Sequence, residues 1–258
     1  MTAFRTRTMQ FVLAGALAAI PIHASSIAVN NPSFETVANV AGCSSSNTLI
    51  LGEFISTDNL GSGCVYADPF NGTWAVSGDV GVWAPSTTFY PGGVPNGESV
   101  AFTNNGSVSQ ILGSTAQLGG YTLSLDIGGR CDVPNTNYTV ELLAGATVIA
   151  SDNNSKVPLL ATPSGSGCGT FVADTLSGNV TAPLVGQALE IVLSSAGSND
   201  TSQATFDALS LTFQGSSSST PEPGSLGLAL VGAIPLAVGL LQRRKSPRIP
   251  ALTSLCEK

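Results

Sequence analysis

Apolar and polar residues alternate with a period of two along several short stretches of the chain. In YTLSLDIG the apolar positions are 121, 123, 125 and 127, and in NYTVELL they are 138, 140 and 142. QALEIVLSS repeats the pattern at 189, 191 and 193. This alternation is typical of strands with one buried face, whereas residues 25–214 show no apolar stripe of helical period. Ala144-Gly145, between two such stretches, predicts a hairpin turn.

The last of these stretches, ATFDALSLTF, breaks the alternation once. Leu209, Leu211 and Phe213 share one face, but Phe206 has the opposite parity. A β-bulge between Phe206 and Leu209 would bring all four side chains into the core and re-aim Asp207. About eight to ten short strands in one domain predict an all-β fold, a two-sheet antiparallel jelly-roll sandwich over residues 25–214.

Both ends of the chain differ from this domain. A basic start, an apolar run and the small residue Ala24 are typical of a signal peptide over residues 1–24. Residues 215–220 read GSSSST, a flexible linker. Residues 224–241 carry no charge, and as a helix they would be long enough to cross a bilayer. A basic cluster follows and places the β domain outside the cytoplasm, before a tail over residues 246–258.

The charge of the predicted β domain excludes one class of partner. Fourteen carboxylates lie between residues 25 and 220, where Arg130 and Lys156 are the basic residues, so the formal charge is −12. Nucleic acid binding needs many Lys and Arg side chains near the phosphates. We therefore expect no nucleic acid partner.

Four of the five cysteines lie in the predicted exported domain, and Cys256 lies in the tail. An even number in an exported domain predicts two disulfides, with three pairings open. We favour Cys43–Cys64 and Cys131–Cys168, because each pair closes a loop rich in Gly, Ser and Asn.

The C-terminal stretch resembles a known sorting signal. Pro221, Glu222 and Pro223 precede the apolar run, and Arg243, Arg244 and Lys245 end it. This order resembles the PEP-CTERM signal over residues 221–245. The resemblance implies an exosortase-like membrane protease as partner, a transient hold in the inner membrane by the C-terminal helix, and delivery to the cell surface or extracellular matrix.

The two ends of the β domain carry a second resemblance. VNNPSFE near its start and ATFDALSLTF at its end resemble carbohydrate-binding-module jelly rolls, including galactose-binding-like and DUF642-like groups. In several such families an early Glu and a late Asp hold a structural calcium ion. The resemblance implies Glu35 and Asp207 as calcium ligands in this chain, a role that suits the oxygen ligands Ca²⁺ prefers.

The long segment GVWAPSTTFYPGGVPNG predicts an irregular loop that could bind a ligand. Trp83, Phe89 and Tyr90 are the expected ligand-binding residues, and we expect Trp74 to pack in the core. The histidine of the chain, His23, falls in the predicted signal peptide, so the mature chain has no Ser-His-Asp triad.

We therefore expect a non-enzymatic exported surface or matrix protein, associated with exopolysaccharide or biofilm, whose β domain binds polysaccharide. The alternatives are a glycan-active enzyme and a purely structural matrix protein without a ligand.

Overall fold

The computed structural model describes residues 24–58, 63–160, 169–196 and 202–216. These residues form thirteen β-strands and two short 3-10 helices, and they include no α-helix. The fold is therefore all-β, as predicted. None of the helices in the described ranges is long and apolar enough to cross a membrane. The predicted signal peptide, except Ala24, and the predicted C-terminal membrane helix lie outside these ranges.

The strand bounds follow in chain order. They are β1 Ser25–Ile27, β2 Ser44–Ser45, β3 Thr48–Leu49, β4 Phe54–Ser56, β5 Cys64–Val65, β6 Ala75–Trp83, β7 Val100–Thr115, β8 Gly119–Gly129, β9 Thr139–Ala144, β10 Thr147–Asn153, β11 Thr170–Val180, β12 Ala188–Ala196 and β13 Ala204–Gly215. The 3-10 helices are Val157–Leu159 and Ala182–Leu184.

Most strands belong to one large, mostly antiparallel sheet. Its main path runs β10-β9-β12-β7-β13-β8-β11, with β6 beside β7 and β1 beside β13. The pairing of β4 with β5 is parallel. The long strand β7 pairs with β12 through residues 105–115 and with β13 through residues 101–103. It therefore connects the two halves of the path, and the sheet folds over a common core.

The alternating stretches fill that core as predicted. The apolar residues of β8, β9 and β12 are buried on one face of each strand, while most of their neighbours are half-buried or exposed. Ala144 pairs with Thr147, which confirms the β9–β10 hairpin. Trp74 is also buried in the core, against Phe34. Burial of such side chains contributes about 1.5–3 kcal/mol each.

The predicted bulge in β13 is present. The register against β8 shifts between Asp207 and Ser210, and Ala208 has a φ of 54°. Phe206, Leu209 and Leu211 are all buried as a result, and Phe213 packs against the core from a half-buried position. Asp207 itself faces away from this core, opposite Asp126 of β8.

A disulfide joins Cys43 to Cys64, the first of the two expected pairs. It ties the segment before β2 to β5, which closes a loop of sequence separation 21. Closing a loop of this size stabilises a folded chain by about 3 kcal/mol in the chain-entropy model. Cys131 is also disulfide-bonded. Its expected partner, Cys168, lies outside the described residues.

The two ends of the sheet path meet where β11 crosses β10. A Cβ added to Gly178 would lie 1.9 Å from the carbonyl oxygen of Ile149, so this contact requires a glycine. We expect Gly178→Ala to lower the free energy of unfolding by about 1–3 kcal/mol, because the backbones must move apart. Urea denaturation measures this change.

Gly113 in β7 provides the matched control. An added Cβ there meets nothing within 4 Å, and its φ is not in the left-handed region. Gly113→Ala should leave stability unchanged or raise it slightly. Equal losses in both variants would contradict the close approach of β10 and β11.

Candidate functional site

The outer face of β8, β11 and β13 carries a second set of buried side chains, separate from the main core. Gly128 of β8 lies between Phe171 of β11 and Thr205 of β13 in the strand register. A Cβ at Gly128 would meet Thr205 Oγ1 at 2.2 Å and the Phe171 ring at 2.6 Å. The glycine therefore leaves room for Phe171 to lie over this part of the sheet.

Aromatic residues from four segments pack together here, and we call them the aromatic cluster. Trp83 ends β6, and Phe89 and Tyr90 lie in the irregular segment 84–99 that follows it. Ring centroids are 5.0 Å apart for Trp83 and Phe89, and 4.6 Å for Tyr90 and Phe171. Phe102 of β7 packs in the same cluster.

These contacts correct the expected position of the ligand-binding residues. Trp83 is 5% exposed and Tyr90 is 1% exposed, so neither forms an open platform on a surface loop. Phe89 is half-buried. The segment 84–99 is irregular, as predicted, but it lies over the sheet and turns its aromatic residues inward. The structure therefore brings the three residues together in a packed cluster.

One hydrogen bond attaches the cluster to the sheet. The Tyr90 and Thr205 hydroxyl groups lie 2.7 Å apart, and both are buried. Burial raises the pKa of the Tyr90 phenol above its usual value. The phenol is therefore neutral at all physiological pH values, and it serves as a hydrogen-bonding group rather than as a base.

Arg130, directly after β8, places a cation on the aromatic cluster. Its guanidinium carbon lies 4.7 Å from the centroid of the Trp83 ring and 5.1 Å from that of Phe89. Nε and one terminal nitrogen of Arg130 donate to both oxygens of Asp132, at 2.9 and 2.6 Å. The other terminal nitrogen donates to Gln203 Oε1 at 2.9 Å.

Two carboxyl groups occupy the next row of the same face. Asp126 of β8 pairs with Asp207 of β13 on one side and with Ala173 of β11 on the other. Asp126 is half-buried, and Ala173 is small and exposed, so the Asp126 side chain is accessible. Burial raises the pKa of the Asp126 carboxyl, which favours its protonated form.

Asp207 differs from Asp126 in being inaccessible. It is 0% exposed, and burial raises its pKa to about 7, with smaller contributions from Glu35 and Asp126. Its two oxygens accept backbone N–H groups of Asn96 and Ala208 at 2.9 and 2.6 Å. These bonds favour the ionised form but do not offset the burial.

Glu35 binds the same backbone segment as Asp207. Its Oε1 accepts the N–H groups of Glu98 and Ser99 at 3.0 and 2.9 Å. A Cβ added to Gly97, directly before Glu98, would lie 2.3 Å from Glu35 Oε1. The two carboxylates predicted as calcium ligands therefore lie close to each other, around residues 96–99.

Several residues of this site have no signal in the alternation pattern. Arg130, Asp126, Phe102, Phe171 and Thr205 were not among the expected site residues. One signal could have identified the place: Val100, Ala101 and Phe102 are three consecutive apolar residues, all buried. A strand covered on both faces loses its alternation, so such a run indicates a second layer of side chains.

Comparisons with known proteins identify the family. The family model described as HpiC1 cyclase matches residues 25–212. An apo cyclase from Fischerella sp. aligns with a TM-score of 0.54 and 22% identity, over 74% of this chain and 97% of that chain. A Stig cyclase from Fischerella sp. TAU, in complex with (3Z)-3-(1-methyl-2-pyrrolidinylidene)-3H-indole, aligns with a TM-score of 0.55 and 22% identity, over 75% and 99%. These structures share the fold. No curated protein matches.

The match corrects three expectations. The chain is not assigned to a PEP-CTERM or DUF642-like family; the match covers the β domain, and residues 221–245 lie outside the described ranges. The resemblance to carbohydrate-binding modules is only distant: a xylan-binding domain from Paenibacillus barcinonensis aligns with a TM-score of 0.36 and 12% identity. The expectation of a non-enzymatic, polysaccharide-binding matrix protein is wrong, because the matching family is one of cyclases. With residues 25–212 covered by its model, this chain belongs to the HpiC1-like cyclase family.

Proposed function

We propose that this protein is a cyclase that closes a ring within a neutral, planar aromatic molecule of the indole type. The observation that carries the proposal is the aromatic cluster on the outer face of the sheet, one strand row away from the accessible carboxyl of Asp126. The family assignment supports the reaction class. The indole compound bound to the Fischerella Stig cyclase suggests the type of molecule.

The aromatic cluster suits such a substrate for two physical reasons. Flat rings pack on flat rings in offset or edge-to-face contacts worth about 0.5–1.5 kcal/mol beyond burial. Ring faces also attract positive charge, which develops on carbon when a ring closes under acid. Arg130 already occupies this surface of Trp83 and Phe89, so the rings available to the developing charge are those of Tyr90 and Phe171.

Asp126 is the candidate general acid. It is the carboxyl of this face that solvent and ligand can reach, whereas Asp207 is fully buried. A carboxyl with a raised pKa holds its proton closer to neutral pH and can give it to a substrate.

The proposed reaction is an isomerisation. Asp126 gives its proton to the substrate, an intramolecular bond forms to the resulting cationic carbon, and loss of a proton from the ring-closed cation returns Asp126 to its acid form. Atoms balance without an oxidant, a reductant or a second substrate. The product therefore has the mass of the substrate and a different ring count.

Asp126→Asn tests the assignment of the acid. We expect the variant to lower kcat by about 10²–10⁴-fold, because the amide cannot donate the proton. Indole-bearing alkenes are incubated with the protein, and chromatography with mass spectrometry detects products of unchanged mass. Glu190→Gln, on β12 and outside the aromatic cluster, is the matched control and should retain full activity. Full activity of Asp126→Asn would contradict the role of Asp126.

We also infer that the folded sheet is a two-sheet jelly roll. Sheet strands β10, β9, β12 and β7 supply one part of the core, and β13, β8 and β11 supply the other. The contact between β10 and β11 closes one side of this arrangement.

A calcium ion bound by Glu35 and Asp207 is a separate proposal. Its support is that two carboxylates, one of them completely buried, lie around one backbone segment. A divalent cation would offset the cost of burying their charge. Among the described residues no group of three or more His, Cys, Asp and Glu side chains could hold a metal, so backbone carbonyls and water would complete the shell. The ion's role there is structural.

The pKa of Asp207 gives this proposal a pH signature. In excess chelator, Asp207 titrates near pH 7 when folded and near its ordinary value of 3.8 when unfolded. The folded state then binds more protons between these values, so the free energy of unfolding falls as the pH rises from about 4 to about 7. The slope is up to about 1.4 kcal/mol per pH unit and disappears above pH 7.

Thermal unfolding with and without calcium measures both effects. Calcium should raise Tm at pH 7.5 and remove the pH slope, because the ion binds the ionised form. Asp207→Asn should lose the calcium response and the slope together. An unchanged Tm in chelator at pH 7.5 would rule out a stabilising ion, and a flat chelator profile would contradict the raised pKa.

A further inference from the structure

Arg130 is an unusual residue for its place in the chain. Residues 25–216 contain two basic side chains, Arg130 and Lys156, against fourteen carboxylates. The Arg130 side chain is 17% exposed, and it lies on the aromatic cluster instead of in solvent. A half-exposed ion pair with Asp132 alone would contribute little to stability. The contacts of the guanidinium therefore need another explanation.

The guanidinium lies against two rings that already contact each other. Trp83 and Phe89 are edge-to-face, and the guanidinium carbon is about equally far from both centroids. One cation thus contacts both rings. We call the edge-to-face pair of Trp83 and Phe89 the corner. Trp83 belongs to a strand end and Phe89 to the segment 84–99, so Arg130 joins the sheet to the segment that covers it.

Hydrogen bonds along two edges of the guanidinium fix the orientation of its plane. Asp132 accepts two hydrogen bonds from one edge, and Gln203 accepts one from the other. Gln203 is itself fixed, because its Nε2 donates to Asn104 Oδ1 at 3.0 Å. Asn104 Nδ2 in turn donates to Asp79 Oδ2 at 2.9 Å, and all three of these residues are buried. The chain of hydrogen bonds anchors Arg130 in the interior.

We propose that Arg130 is a positioning residue that fixes the corner of Trp83 and Phe89 and thereby determines which ligands the aromatic site accepts. The guanidinium occupies the cation-attracting surface of these two rings. A ligand at this corner must therefore be neutral, since a second positive charge would be repelled by Arg130. The identity of the ligand rests on the proposed cyclase function, whereas the positioning of the rings does not.

Lysine cannot replace Arg130 in this role. An ammonium group has no plane to stack on the rings and no fork to bind both oxygens of Asp132. Arg130→Lys keeps the positive charge, but it should no longer hold the Trp83 and Phe89 rings in position. Arg130→Ala removes both, and it leaves a space shaped for a free guanidinium ion beside Asp132 and Gln203.

The test follows the environment of Trp83 without any substrate. In a Trp74→Phe background, Trp83 is the remaining tryptophan, and acrylamide quenching of its fluorescence reports its exposure. We expect Arg130→Ala to increase the quenching constant by about two- to tenfold, since the cation–π contact that holds the Trp83 ring in place is lost. Arg130→Lys should show most of this increase.

Guanidinium chloride at low, non-denaturing concentration provides a chemical rescue. In Arg130→Ala it should restore the wild-type quenching along a saturable curve, and ammonium chloride at the same ionic strength should not. Gly178→Ala serves as a matched control that lowers stability away from the corner. Unchanged quenching in Arg130→Ala, or the same increase in Gly178→Ala, would overturn the proposal.

A second measurement tests ligand choice. Titration calorimetry with the neutral probe indole and with the cation tetramethylammonium gives their affinities for wild-type protein and for Arg130→Ala. Arg130→Ala should weaken the indole by about tenfold and gain affinity for tetramethylammonium. If Arg130→Ala shows no gain for the cation, the selectivity part of the proposal is wrong. If wild-type protein binds no indole and turns none over, the cyclase function fails, while the guanidinium rescue still decides the positioning role.

Discussion

The β-bulge in β13 determines which side chains lie on the core face and which lie on the outer face of the sheet. The extra residue, near Ala208, lets Phe206, Leu209 and Leu211 all enter the core. It occurs one position after Asp207, whose side chain consequently lies on the outer face opposite Asp126. The N–H of Ala208 donates to Asp207, so the bulge also supplies a hydrogen bond to the buried carboxyl group that it places on this face. One irregular residue thus connects core packing with the placement of carboxyl groups.

The outer face acquires its second layer because the segment 84–99 lies over the sheet. A hydrogen bond between the Tyr90 and Thr205 hydroxyl groups attaches this segment to the sheet, as do the backbone N–H groups of residues 96–99 that donate to Glu35 and Asp207. Arg130 joins it to the sheet from the other side. An aromatic site formed in this way excludes water around the rings, which strengthens electrostatic interactions inside it. The site therefore combines ring faces with a carboxyl at its edge.

The difference between Asp126 and Asp207 shows how exposure separates two carboxyl groups that face each other. Both have raised pKa values, and burial is the main cause for each. Asp126 has an exposed alanine beside it and can meet a ligand, whereas Asp207 is enclosed by backbone N–H groups and by Glu35. This difference is why we propose proton transfer for Asp126 and a structural role, with or without a cation, for Asp207. The same residue type serves two purposes because its surroundings differ.

The period-two alternation, the Ala144-Gly145 turn, the parity break in ATFDALSLTF and the Cys43–Cys64 spacing were sufficient to predict the all-β core, the hairpin, the bulge and one disulfide. These features are local, or they depend on which side chains avoid water. The sequence also indicated that residues 84–99 are irregular, whereas the pairing of Glu35 with Asp207 came only from the resemblance to carbohydrate-binding modules. It did not indicate that Trp83 and Tyr90 point inward. An irregular segment has no periodic pattern that shows which of its side chains are buried. Nor could it bring Arg130 to Trp83 or Phe171 to Tyr90, since these partners lie between 47 and 81 positions apart in the chain. Only the folding of the sheet and the closure of the segment over it create those contacts, and the aromatic site exists through them alone.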